Sequence, residues 1–351
     1  MGCKQAEARH RTKTSLPIIT ARKEMVNTDN RSIVNSRIEP CVSDFRIDGH
    51  VDVLHEMFES RPKAPFEELT DLPVTLEKMR SSNVLAAVFA LYCPDTHNGA
   101  GAADFLSKLV DYAEEYLTGL FHIKSAEDLN NCIRQKTPGM IWLIENADGL
   151  LEFDRAKLAQ AGIRIAGLTH QGRNRIGDGN NVAFPEGLTG RGKSLVKELA
   201  SDGFVFDTAH LAEPGFRDLT RIYEGPLISS HTGARALCDI PRNLTRSQVA
   251  AIIERKGVIG IAADPTMLTL SAQASIEDIF RHIDWIAQSF DVDGIAIGSD
   301  FCGFFTPNTG FEDITRLSDL ARIMLEHGYP EPSIKKILGE NWRAFYESLL
   351  K

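Results

Sequence analysis

From about residue 45 onward, short apolar runs rich in β-branched residues alternate with longer stretches in which apolar residues recur every three or four positions. That alternation restricts the chain to folds built from parallel βα units. Eight runs can be traced: Ile47 to Val53, Val84 to Leu91, Met140 to Glu145, Arg164 to Thr169, Phe204 to Thr208, Pro226 to Ser230, Val258 to Ala263 and Gly294 to Ser299. Between them, Phe105 to Tyr116, Gly192 to Ala200, Ser247 to Lys256 and Ile276 to Phe290 carry the helical period. Eight strands with eight crossovers close a barrel, so the expected fold is α/β, a (β/α)8 TIM barrel over residues 45–351. Thr245 is expected to open a helix and Gly257 to end it, and Ser275 with Asp278 three residues on resembles a capping box. The stretch between the second and third runs is long enough for a helix, a short strand near Phe121 to Ile123 and a second helix, and reads as an insertion.

Residues 1–44 stand apart. Positions 1–40 carry eight Lys or Arg against four Asp or Glu with weak periodicity, the pattern of an N-terminal extension. The whole chain has a formal net charge of −9, with the acidic residues spread along it, which argues against a nucleic-acid partner or an anionic membrane surface. No stretch reaches the roughly 18 apolar residues of a membrane-spanning helix, and no signal peptide or membrane anchor is expected. Met1-Gly2-Cys3 invites a lipidation reading, but position 6 is Ala and an ordinary start is expected. The six cysteines form no CxxC pair and no regular framework, consistent with free thiols and a cytoplasmic setting.

In a (β/α)8 barrel the active site lies at the C-terminal ends of the strands, so the polar residues that end the apolar runs are the candidates. The first run ends with His50-Val51-Asp52, the third with Glu145, the fourth with His170, the fifth with His210, the sixth with His231 and the eighth with Asp300. His50 and Asp52 are two apart on a strand and share a face, so one cation could be held by both. A second His-x-Asp, His282-Ile283-Asp284, falls on an expected helix where the two side chains diverge, and it is set aside. A single strand-end histidine is usually a hydrogen-bonded structural residue, and Glu145 alone could be a buried ion-pair partner. Three histidines, a glutamate and two aspartates converging on one barrel mouth, with His170 beside them, point to Zn²⁺ or another borderline divalent ion. Two ions sharing Glu145 would use the set economically. His55 follows the first strand in a helical stretch and is expected at the surface or behind the site. His10, His97, His122 and His327 have no partner pattern, and Cys93 and Cys302 follow strands without the basic neighbour of an activated thiol.

The same residues resemble the membrane dipeptidase (renal dipeptidase) family of metallopeptidases, in its bacterial branch, over roughly Ile47 to Tyr346. The matching pieces are Asp48-Gly49-His50-Val51-Asp52, Ile144-Glu145, Gly167-Leu168-Thr169-His170, Phe206 to His210, Ile228 to Thr232, Arg242-Asn243, His282 to Phe301 and Gly339-Glu340-Asn341. The resemblance implies two zinc ions: His50 and Asp52 on one, His210 and His231 on the other, and Glu145 bridging both. It further implies that His170 contacts the substrate and stabilises the oxyanion, that Arg242 grips the substrate's terminal carboxylate, and that Asp300 transfers the proton. The implied reaction is hydrolysis of an L-Xaa-L/D-Xaa dipeptide, or a related small amide, by a hydroxide held between the ions, in a homodimer.

Two departures bear on the substrate: Asn146-Ala147-Asp148 follows Glu145 where relatives run through glycines, and Cys302 replaces an acidic residue after Asp300. Two other readings compete. A neighbouring amidohydrolase acting on another amide, a lactone or an ester would usually show His-x-His on the first strand and, with two metals, a carbamylated lysine on the fourth. This chain has neither. A catalytically silent barrel that binds a small ligand would be marked by a missing metal ligand, and none is missing.

Overall fold

The computed structural model describes residues 45–351 apart from Pro62 and Ala272. The expected extension over 1–44, with His10, Cys3 and Cys41, lies outside the described residues. The strands are β1 (Arg46–Val51), β2 (Val84–Tyr92), β3 (Phe121–His122), β4 (Gly139–Glu145), β5 (Ile165–Gly167), β6 (Val205–Asp207), β7 (Leu227–Thr232), β8 (Val258–Ile261) and β9 (Ile295–Ile297). They run parallel in the order β1-β2-β4-β5-β6-β7-β8-β9, with the two-residue β3 appended to β4. All eight apolar runs are strands, and the fold is a nearly closed (β/α)8 TIM barrel.

The pleat explains how each strand serves two cores. In β4, Ile141 and Leu143 join a cluster with Ile47, Val88, Ile165, Val205, Ile228 and Val258. Trp142 and Ile144, one residue out of step, pack with Phe89, Phe206, Ile259 and the surrounding helices. Both faces are covered, which is why these strands read as continuous apolar runs rather than alternating ones. Each fully buried Leu, Ile or Phe contributes about 1.5–3 kcal/mol. The helix Asn341–Leu349 brings Trp342, Phe345 and Tyr346 into the first cluster, with Trp342 donating its indole N–H to Ile297 O at 2.8 Å.

The seam between β9 and β1 is joined differently from the rest. Instead of a ladder, the Asp300 N–H donates to His50 O (2.9 Å) and the Asp52 N–H to Phe301 O (2.8 Å). The Asp48 carboxylate accepts the Ser299 N–H at 2.8 Å.

Local expectations mostly match. The helices Ala102–Tyr116 and Ala126–Gln135 flank β3 as the insertion. Ser275 with Asp278, and Thr245 with Gln248, form capping boxes. The end of the Thr245 helix differs from expectation: the helix stops at Glu254 and the left-handed residue is Lys256 (φ 56°), not Gly257. Gly257 answers a different demand, because a Cβ there would lie 1.7 Å from Leu227 O at the foot of β7. Among the described residues, no helix is long and apolar enough to cross a membrane.

Candidate metal centre and active site

Six strand-end residues meet at the mouth of the barrel. His50 lies on β1 and Asp52 just past it, Glu145 closes β4, and His231 lies within β7. His210 and Asp300 sit three residues beyond β6 and β9, on backbone in the left-handed region (φ 62° and 64°). That conformation costs a residue with a side chain about 1–2 kcal/mol. Hydrogen bonds impose it: His210 O accepts the Asn180 N–H at 2.8 Å, and the Asp300 N–H is tied to His50 O across the seam. The expected strand runs were too long at these points because the chain leaves the ladder to turn these side chains inward. All six are at most 7% exposed.

Glu145 organises the centre. Its Oε2 lies 3.5 Å from His50 Nε2, which is itself 3.7 Å from Asp52 Oδ1. Its Oε1 lies 2.9 Å from His210 Nε2 and 3.7 Å from His231 Nε2. The carboxylate thus presents one oxygen to each of two donor groups, and Asp300 Oδ1 stands 3.9 Å from both His50 Nε2 and His231 Nε2. Ligand atoms about 2.0–2.2 Å from a tetrahedral ion are about 3.3–3.6 Å apart, close to most of these separations. His50 Nε2 and Asp52 Oδ1 are buried without a hydrogen-bond partner, a costly arrangement for groups that have none to bind. His210 Nε2 and His231 Nε2 face each other at 3.0 Å, which needs a proton or a cation between them. The donor set therefore fits divalent cations, and among the described residues His50/Asp52/Asp300, Glu145/His170/His210 and His50/Asp207/His231 are each close enough together to hold one.

The electrostatics agree. Burial raises Asp300 well above the usual carboxylate range, and Asp52 beside it adds to the effect. Burial works against charge on Glu145 and His50 too, but their mutual attraction, joined by His210 for the acid and Asp52 for the ring, outweighs it: Glu145 is held well below its ordinary range and His50 well above. Burial, with Arg242 nearby, drives His210 well below the ordinary imidazole range. Positive charge placed among these acids relieves a real desolvation penalty.

The remaining two candidates flank this centre. Arg242 Nη2 donates to His231 O at 3.0 Å and lies 3.2 Å from His210 Nε2. His170 Nδ1 lies 3.1 Å from Asp95 Oδ2, and its ring centroid is 4.5 Å from that of His210. Both line a cavity of about 630 Å³, together with Asp52, Glu145, His210 and Asp300. His50 and His231, almost fully buried, stand behind this wall rather than in it. Sequence reasoning missed Asp95, which also accepts the Gly172 N–H at 2.9 Å, and Tyr92 at the end of β2, whose ring meets the His170 ring edge-on at 4.7 Å. Burial opposes ionisation of Asp95, but the His170 ring and the Gly172 amide outweigh it and hold the acid below its ordinary range. Gly179 helps to place His170, because a Cβ there would sit 1.9 Å from His170 O.

The residues set aside behave as ordinary structure. His282 accepts the Ala234 N–H at Nδ1 (2.8 Å) and faces Leu268 O from Nε2 (3.0 Å) on its helix. His97 stacks on Phe105 and His327 on Phe280. His55 is nearer the chemistry than expected: it lines the cavity and meets Tyr92 edge-on at 4.9 Å. Cys93 is buried and its thiol is pushed up to about 12, the opposite of activation.

A family model described as membrane dipeptidase (Peptidase family M19) matches residues 38–347. The chain belongs to the membrane dipeptidase family. Similar solved structures include a dipeptidase AC of family M19, 26% identical with a TM-score of 0.79, covering 87% of this chain and 98% of that one. Another is a metallopeptidase from Rhodobacter sphaeroides liganded with a phosphinate mimic of L-Ala-D-Ala, 26% identical with a TM-score of 0.76, covering 87% and 99%. Among curated relatives, Dipeptidase tcpJ of Claviceps purpurea (strain 20.1) is 24% identical over 322 residues, 84% of this chain and 74% of the relative.

Within this membrane dipeptidase fold the two departures from the family motif have different standing. Cys302 lines the cavity, on left-handed backbone (φ 75°) next to Gly303. Asn146 does not line it: the side chain points back into a buried polar network, donating to Cys93 O and Asn98 Oδ1 and accepting from Asn174, each at 2.8 Å. The residue after Glu145 thus braces the strand end.

Proposed function

We propose that this chain is a binuclear zinc dipeptidase that hydrolyses L-Xaa-L/D-Xaa dipeptides or a closely related small amide. The observation that carries the reading is the split of Glu145 between the His50/Asp52 pair and the His210/His231 pair. His50 and Asp52 would hold one ion, His210 and His231 the other, and Glu145 both. Bound there, the ions would supply a nucleophile from water at neutral pH and polarise the scissile carbonyl.

The chain's own residues do the rest. Arg242, at the His210/His231 side of the cavity, offers N–H donors to the terminal carboxylate and thereby sets which end of the dipeptide enters first. His170, its Nδ1 held by Asp95 Oδ2, stands in the cavity wall where it would contact the oxygen that gains charge. Asp300, 3.9 Å from the rings of both pairs, takes a proton at its carboxylate and passes it to the leaving amine. The relative that carries a phosphinate mimic of L-Ala-D-Ala supports a dipeptide of about that size.

The test is metal analysis of the purified protein, followed by hydrolysis assays on a panel of L,L and L,D dipeptides for the protein and an Asp300→Asn variant. About two zinc per chain, with turnover that collapses in the variant while metal is retained, is the expected result. Metal without dipeptide turnover would move the substrate to another amide or ester, and a metal-free, inactive but folded protein would overturn the reading.

A further inference from the structure

Beneath the candidate metal donors lies a hydroxyl that touches one histidine of each pair. Ser230 Oγ is 3.0 Å from His50 Nδ1, 2.9 Å from His231 Nδ1 and 2.5 Å from Asp207 Oδ2. All four residues are at most 2% exposed. Asp207 is itself pinned, since its Oδ1 accepts the Ser230 N–H at 2.9 Å and the Ala209 N–H at 3.0 Å.

A proton count fixes the roles. A serine hydroxyl has one proton to give and two lone pairs to receive with. Asp207 Oδ2 makes the shortest of the three contacts and takes the proton. Both lone pairs then face imidazole nitrogens, so each Nδ1 must carry a hydrogen and donate it. The Nδ1–H form leaves Nε2 as the ligating atom, and these are the atoms that point at Glu145 and Asp300.

We propose that Ser230, anchored by Asp207, is a positioning residue that sets tautomer and ring orientation for His50 and His231 at once, one histidine from each metal pair. The inference rests on the two-metal reading given above. Two features of the fold make the arrangement local and rigid. His50 is on β1 and His231 on β7, and their ring centroids are 3.8 Å apart above the hydroxyl. On the neighbouring strand and seam, Gly260 and Gly298 leave the space that Ser230 O fills, where a Cβ would lie 2.0 and 1.7 Å away. His50, Asp207 and His231 also lie close enough together to hold a cation, but Ser230 Oγ is already within hydrogen-bond distance of each and uses the atoms such an ion would need. His210, by contrast, has a buried Nδ1 with no partner, so the hub serves only one ligand of its pair.

The experiment compares wild type with Ser230→Ala, Ser230→Thr and Asp207→Asn. Zinc affinity is read by competition with a chromophoric chelator, and the imidazole nitrogens of the metal-free proteins are read by ¹⁵N–¹H NMR. Loss of a partner that orients a metal-bound histidine typically weakens metal affinity about 10–100-fold. Ser230→Ala is expected to weaken both binding steps by that factor together, while Ser230→Thr, which keeps the hydroxyl, restores affinity to within about threefold. In wild type both Nδ1 atoms are expected to be protonated, and in Ser230→Ala the Nδ1–H signals of His50 and His231 lose their hydrogen-bonded shifts. Weakening of one step only, unchanged affinity in a folded Ser230→Ala protein, or an unprotonated Nδ1 on either ring in wild type would overturn the proposal. If wild type binds no metal, the two-metal reading fails, and the NMR result alone decides whether the hub exists.

Discussion

Replacing Gly49 by Ala inserts a single methyl group between the first strand and Trp342 of the helix Asn341–Leu349. The new Cβ would lie 2.3 Å from Trp342 Cζ2, 2.5 Å from Cε2 and 2.7 Å from Nε1. Carbon atoms in ordinary contact are about 3.5–4.0 Å apart, so either the ring or the strand must yield by about 1 Å or more. The ring is poorly placed to yield: it is fully buried, donates to Ile297 O at 2.8 Å and stacks on Tyr346 with centroids 5.4 Å apart. Overpacking of this kind costs about 1–3 kcal/mol, and loss of the indole hydrogen bond about 1 kcal/mol more. At roughly 2 °C per kcal/mol for a domain this large, the thermal midpoint should drop by about 4–8 °C. The strand that moves instead carries His50 as its next residue, so metal affinity should fall in parallel. Thermal unfolding by circular dichroism, with and without zinc, measures both effects. A Gly49→Ala/Trp342→Phe double variant should be less destabilised than the sum of its parts, because the smaller ring clears the methyl. A single variant that melts within about 1 °C of wild type, or strict additivity in the double, would refute the argument.

Three further outcomes are expected. Asp95→Asn should lower kcat/KM roughly 10- to 100-fold with zinc content unchanged, since His170 loses a charge-assisted partner worth about 1.5–3 kcal/mol; steady-state kinetics with metal analysis checks it. Arg242→Met should cost a similar factor of roughly 10- to 100-fold on dipeptides but much less on dipeptide amides, which have no terminal carboxylate to grip. His122, which burial and then Lys124 lower to about 4, stays neutral in the fold over a range where the unfolded chain takes up a proton. Stability should therefore fall as pH drops from about 6.5 to about 4, by at most ~1.4 kcal/mol per pH unit. Urea unfolding at pH 7 and pH 5 should show a smaller loss in His122→Phe than in wild type.

The barrel was legible because periodicity is a property of consecutive residues: the eight runs stand out in the sequence, and so does the insertion around β3. The inward-facing donors were legible for the same reason, since strand ends of a barrel point to one place. What escaped is what depends on distance in sequence. Asp95 lies 75 positions before the histidine it orients and ends no apolar run. Ser230 and Asp207 look like ordinary strand residues until the register of β6 against β7 brings the carboxylate to the hydroxyl. Asn146 illustrates the converse, because adjacency to Glu145 suggested a place in the cavity, yet the chain leaves the strand there in the left-handed region (φ 71°) and the side chain meets Asn98 and Asn174. Gly257 was read as a helix terminator because glycine often is one, and only the approach of Leu227 O reveals the other demand.

The seam between β9 and β1 gives the site a second duty. Where other strand pairs are zipped by ladders, this one is fastened through the backbone of His50, Asp52 and Asp300, so the hoop is buckled by residues of the candidate site itself. Opening the hoop would take the candidate site apart in the same event. Cations seated there would act as a rivet through the buckle, and slow amide exchange at Asp52 and Asp300 should report their arrival before any change in the bulk of the barrel.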